Sequence, residues 1–201
     1  MKLAVPTFTK DDSFGEVIIS SSNSCTAAIW DTKDIQIANL ILIESQDPAL
    51  GIITDYFIEN IDPSRKIIPL QLTQKEIYSR YPHLKNTFLK YAKIEILGQF
   101  NDSAFLRHTS STPSIHAFCK KIEYEDAKIE FSEIINFLDS QAFSIETREK
   151  IIFLVCKNLF TNKKQMTNEL KSHYFLLERI LNKDLFRINS FFHELEKITF
   201  K

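Results

Sequence analysis

The chain has 201 residues, 44% of them hydrophobic and 25% charged, with a formal net charge of −1. That composition supports a packed core and excludes a disordered chain, while the near-neutral balance excludes a surface that coats nucleic acid over its whole area. The longest apolar runs, at 40–43 and 151–155, fall well short of the roughly 20 residues a bilayer span needs, and residues 1–10 lack the layout of a signal peptide, so a cytoplasmic protein with no membrane contact is expected.

In chain order, the first half reads as strands. Residues 16–20 predict one and 25–30 a second, across the polar turn 21–24. A very apolar third lies at 40–44, and a fourth at 50–58 is opened by Asp47-Pro48. A fifth at 66–72 follows Asp62-Pro63-Ser64, and 93–100 is the last clear one. Short β-branched runs separated by turn residues every eight to twelve positions predict a sandwich or barrel. One helix interrupts the series: Thr73 and Glu76 fit a capping box, placing a helix over about 74–80 that stops before Pro82. The glycines are Gly15, Gly51 and Gly98, each beside a β-rich run. So few glycines are expected where the backbone needs positive φ or close approach.

A polar linker at 101–116 marks the best boundary, and 115–121 fits one more short strand. Beyond it the period becomes helical. Ile151, Ile152, Val155 and Leu159 keep to one face of 145–160. Met166, Leu170, Tyr174, Leu177 and Leu181 do so in 164–182, and Leu185, Ile188, Phe192, Leu195 and Ile198 in 184–200. A shorter helix is expected at 132–138. The pattern is therefore α+β, a β sandwich or barrel over 1–120, read as a small five- or six-stranded β-barrel with the resemblance given below, followed by a three- or four-helix bundle over 121–201.

Candidate chemistry is sparse. Cys25, Cys119 and Cys156 are odd in number and widely spaced, with no Cys-x-x-Cys pair, which argues for buried thiols and against zinc. Glu169 and His173 share a helix face, the spacing of a surface ion pair, and no His-Glu-x-x-His accompanies them. Asp55, Glu59 and Asp62 could hold Mg²⁺ for phosphodiester cleavage, although a solvated loop explains them as well. The serine clusters at 20–24 and 110–111 lie in no Gly-x-Ser-x-Gly motif. No catalytic, cofactor-binding or metal residue is assigned, and the chain is not expected to be an enzyme. From residue 131 onward there are 11 Lys and Arg against 9 Asp and Glu, and Lys157, Lys163 and Lys164 are the candidate phosphate contacts. Trp30, Phe57, Phe100, Phe191 and Phe192 are candidate interface aromatics.

Four stretches of the first half resemble the HAS-barrel, the small N-terminal β-barrel of HerA-type DNA-translocating ATPases. Phe14-Gly15-Glu16-Val17-Ile18 is similar to its opening strand. Residues 34–44, Asp-Ile-Gln-Ile-Ala-Asn-Leu-Ile-Leu-Ile-Glu, resemble its loop and following strand, with Ala38 where the family usually has glycine. Leu50-Gly51-Ile52-Ile53-Thr54-Asp55 and Lys93-Ile94-Glu95-Ile96-Leu97-Gly98 resemble two later strands. The likeness covers about residues 1–120. It does not extend to the ATPase core, because no Gly-x-x-x-x-Gly-Lys-Ser/Thr loop is present to wrap phosphates. The resemblance implies a non-catalytic docking module, assembling with itself or with a HerA/NurA-type nuclease or translocase in DNA repair or phage defence. The alternatives are a nucleic-acid binder using the helical half and, third, a Mg²⁺ nuclease using Asp55, Glu59 and Asp62.

Overall fold

The computed structural model describes residues 8–30, 35–60, 76, 79–81, 88–101, 104–106, 112–182 and 184–200. Seven strands fall among them: β1 (Gly15–Ser20), β2 (Ser24–Ile29), β3 (Leu40–Ile43), β4 (Ala49–Asn60), β5 (Phe88–Asn101), β6 (Ala104–Leu106) and β7 (Phe118–Ile122). Every pairing is antiparallel. The sheet order is β2-β1-β7-β3-β4-β5-β6, and β2 also pairs with β5. Six strands therefore close into a barrel, and β6 extends β5 as a hairpin where Gln99 faces Leu106. Of the predicted strands, 66–72 lies outside the described residues. The helix predicted over 74–80 is described at Glu76, Ser79 and Arg80, all helical.

Alternation sorts the strand residues into two cores. Ile41 and Ile43 point into the barrel with Val17, Ala27, Ile53, Ala92 and Ile94. Leu40, Leu42, Leu50 and Ile52 point the other way, into a second core shared with the helices. This explains why 40–43 reads as an unbroken apolar run: both of its faces are buried. The small residues Ala27, Ala49, Ala92 and Ala117 let six short strands close without overfilling the interior.

The short strand expected at 115–121 is β7, seated between β1 and β3. Within 101–116 the described residues include β6, paired with β5.

Six helices follow: α1 (Tyr124–Ala127), α2 (Phe131–Ser140), α3 (Ile145–Leu159), α4 (Lys163–Ser172), α5 (Tyr174–Ile180) and α6 (Leu185–Leu195). Side-chain caps start three of them. Ser144 accepts from the Thr147 N–H, Asn162 from Gln165 and Asp184 from Arg187. Glu130 and Glu133 form a reciprocal box at α2. The single helix expected over 164–182 is two helices, broken at His173, where φ and ψ are −107° and 17°. The helices do not enclose a core of their own. Ile134, Leu138, Ile151 and Ile152 join the barrel residues Leu40, Leu42, Leu50 and Ile52 in one cluster. The arrangement is thus α+β, with the helices laid against the outer face of β3 and β4.

Two junction features lock this packing. Ala38 has φ 66°, in the left-handed region, although it is not glycine. Its N–H donates to the Ile53 carbonyl at 2.8 Å, and the Asn39 side chain accepts from the Gln36 N–H at 2.7 Å. The Tyr124 hydroxyl on α1 donates to the Ala38 carbonyl. The helical half is thereby tied to the turn that feeds β3.

Candidate functional site

Among the described residues, the helices of 124–195 do not pack against β1 and β2. No residue of β1 or β2 belongs to the core shared with the helices. On β2, Cys25, Ala27 and Ile29 point inward, so Thr26, Ala28 and the following Trp30 lie on the outer wall. The register pairs Ala28 with Tyr91 on β5, and Tyr91 in turn with Phe57 on β4. The Phe57 and Tyr91 rings lie 5.5 Å apart. A bulge between Val17 and Ile19 turns Ile19 outward.

Trp30 is anchored and open together. Its ring meets Phe118 edge-on at 6.1 Å and its Nε1 donates to the Ser13 carbonyl at 3.0 Å, yet it remains 43% exposed. Ile19 is 62% exposed on the same wall, and Leu89 is also exposed. Charges on this side are already paired: Lys93 with Glu95 at 3.0 Å, and His116 with Glu16 at 3.5 Å. The wall thus presents fixed apolar groups with few uncompensated charges, the character of a docking face.

Of the five aromatics singled out from the sequence, Trp30 alone is exposed. Phe191 is buried, Phe57, Phe100 and Phe192 are half-buried, and Phe192 stacks on Tyr174 at 6.0 Å. Leu185, assigned by its spacing to the core face of α6, is 65% exposed; Phe191 takes the buried place instead. Phe175 and Phe186, both 85% exposed, gave no signal in the sequence, because periodicity marks every apolar residue alike.

Lys157 closes α3, and Lys163 and Lys164 open α4 after a three-residue connection; all three are exposed. Lys163 Nζ donates to the Glu196 carbonyl at 3.4 Å, which brings Lys197 to the same corner. None of these four lysines has an ion-pair partner among the described residues.

Of the acidic group, the two described members do not converge. Asp62 lies outside the described residues. Asp55 and Glu59 are exposed on β4, and four residues of strand separate them by about 13 Å, too far to share one ion. Asp55 instead accepts from the Tyr56 N–H at 2.8 Å. Among the described residues no three His, Cys, Asp or Glu side chains group as a metal site. Glu169 and His173 sit 3.7 Å apart as an ion pair, as their spacing predicts.

The cysteines are all free and buried. Burial, with the nearby Glu95 charge, pushes the Cys25 thiol up to about 12. Burial raises Cys119 and Cys156 in the same direction. A thiol held neutral is a poor nucleophile, so none of the three is set up for covalent chemistry. No described helix is long and apolar enough to cross a membrane.

The fold defines a class: an α+β protein built on a closed, six-stranded antiparallel barrel with helices laid against one side. No protein-family model matches the sequence, and a search of curated proteins finds no similar one.

Proposed function

We propose that this chain is a non-catalytic assembly or docking protein whose barrel is of the HAS-barrel kind, working in a DNA-processing complex of repair or phage defence beside a HerA/NurA-type nuclease or translocase. The observation that carries the docking reading is the exposure of Trp30 and Ile19 on the outer side of β1 and β2. Closure of six antiparallel strands is consistent with the resemblance. So is Ala38, which adopts a left-handed backbone at the position where the family usually has glycine.

The test is native mass of the protein purified with and without co-purifying proteins. Docking through the wall predicts a complex containing an ATP-driven translocase or a nuclease, lost in Ile19→Glu while the variant keeps its fold. A strict monomer with no partner overturns the proposal.

A nucleic-acid-binding role is the second reading, favoured by the exposure of Lys157, Lys163 and Lys164 on either side of the α3–α4 connection. Phosphate contacts release counterions, so such binding falls steeply with salt, whereas an apolar docking face changes little. Replacing all three lysines by Ala would abolish binding of this kind and leave wall docking intact.

A further inference from the structure

A half-enclosed cavity of about 180 Å³ lies where the end of the barrel meets α2. Its walls come from rigid elements. Glu133, Asn136, Phe137 and Ser140 follow one another at helical spacing on α2 and all line it, so one flank of that helix faces the cavity. The opposite flank carries Ile134, Ile135 and Leu138 into the core, which fixes the rotation of the helix. Across the cavity stands Asn23, in the β1–β2 turn, where its carbonyl accepts from the Ile96 N–H at 2.8 Å. Gln141, just past the end of α2, lines it too.

The chemistry of the lining is selective. The floor is apolar and partly aromatic, with Ile96, Leu97, Phe105 and Phe137. Three carboxamides, Asn23, Asn136 and Gln141, stand around it with the hydroxyls of Ser22 and Ser140. A carboxamide presents a donor and an acceptor side by side, the match for a heteroaromatic ring whose edge carries both. Phe rings supply faces on which such a ring stacks. No Lys or Arg lines the cavity, and its one charged side chain is the Glu133 carboxylate, so nothing there is suited to a phosphate.

We propose that this cavity binds a small, planar, uncharged heteroaromatic molecule with an amide- or amidine-type edge, of nucleobase or nucleoside size and without phosphate. The site is separate from the barrel wall and from the lysine corner, and the proposal stands whether or not the docking reading does.

The experiment is a titration of the full chain with adenosine, followed by the side-chain amide resonances of Asn23, Asn136 and Gln141. Saturable shifts at these amides are expected. Asn136→Leu, on an exposed position, should weaken binding at least tenfold, as the loss of one paired edge contact does, with the rest of the spectrum unchanged. Gln141→Met is the second variant should the first perturb the helix. AMP should bind no more tightly than adenosine, and indole, planar without the paired edge, should bind at least tenfold more weakly. Absence of shifts at the three amides, equal affinity for indole, or unchanged affinity in both variants overturns the proposal.

Discussion

Single positions carry much of the constraint in this barrel, and two glycines show it. Neither Gly15 nor Gly51 has positive φ; both are required by close approach. A Cβ on Gly51 would stand 2.4 Å from Ile94 Cγ2, inside the barrel, and one on Gly15 would stand 2.3 Å from the Ala28 carbonyl oxygen. The first neighbour is a methyl of the buried Ile94, with the Glu95 backbone oxygen at 3.0 Å beside it, whereas the second is backbone of the paired strand in the way directly. Gly51→Ala should therefore cost about 1–3 kcal/mol, the usual range for overpacking, and Gly15→Ala more, both measured by denaturant titration. Ala38 is the converse case. Its φ of 66° favours glycine, but its methyl is buried, so Ala38→Gly trades relief of about 1 kcal/mol against a similar loss of buried surface. Near-unchanged stability is expected there, and marked destabilisation for the β-branched Ala38→Val.

Among the elements, α3 and α6 are joined by a clamp. Arg187 Nε donates to Glu149 at 2.6 Å and its Nη2 to Glu146 at 2.9 Å. The Glu146 backbone N–H, with Arg187 and Ser144, holds the Glu146 carboxyl below its ordinary value. A carboxyl lowered on folding stabilises the native state fully above its unfolded value, near 4.5. That contribution is lost as pH falls through the lowered value. Thermal melts of the native protein should show this acid dependence, and Arg187→Met should flatten it. The same helix separates two phenylalanines of opposite consequence: Phe191→Ala should cost about 3–5 kcal/mol, and Phe186→Ser, at an 85% exposed site, less than about 0.5 kcal/mol.

At the scale of the whole molecule, the shared core decides how the protein unfolds. Leu40, Leu42, Leu50 and Ile52 are covered only because the helices lie over them. Barrel and helices should therefore melt in one calorimetric transition with matching van't Hoff and calorimetric enthalpies. Two separate transitions would show independent units. The buried thiols offer a second global readout. In the native state Cys25, Cys119 and Cys156 should resist alkylation at neutral pH and all react on denaturation. Because Cys25 is raised from 9.0 to about 12, its contribution to stability is complete below 9.0 and drains away as pH rises toward 12. Cys25→Ala should lessen that alkaline loss.

The local chemistry was readable in the residues themselves. Alternation, turn residues and the helical period located β1 to β5, β7 and the main helices, because each depends on neighbours a few positions apart. What the residues could not reveal were choices made between distant segments. Where the strand at 115–121 pairs is decided by the slot between β1 and β3. Whether Leu185 or Phe191 is buried is decided by which flank of α6 meets α3. The placement of Asn23, Asn136 and Gln141 around one cavity requires a hairpin turn and a helix end more than a hundred residues apart in sequence to meet. Sequence by itself determined which segments pair locally and which faces are apolar, since backbone sterics and hydrophobic period act at short range. Tertiary structure alone decided which apolar faces found a partner, because burial is a property of what packs from elsewhere in the chain.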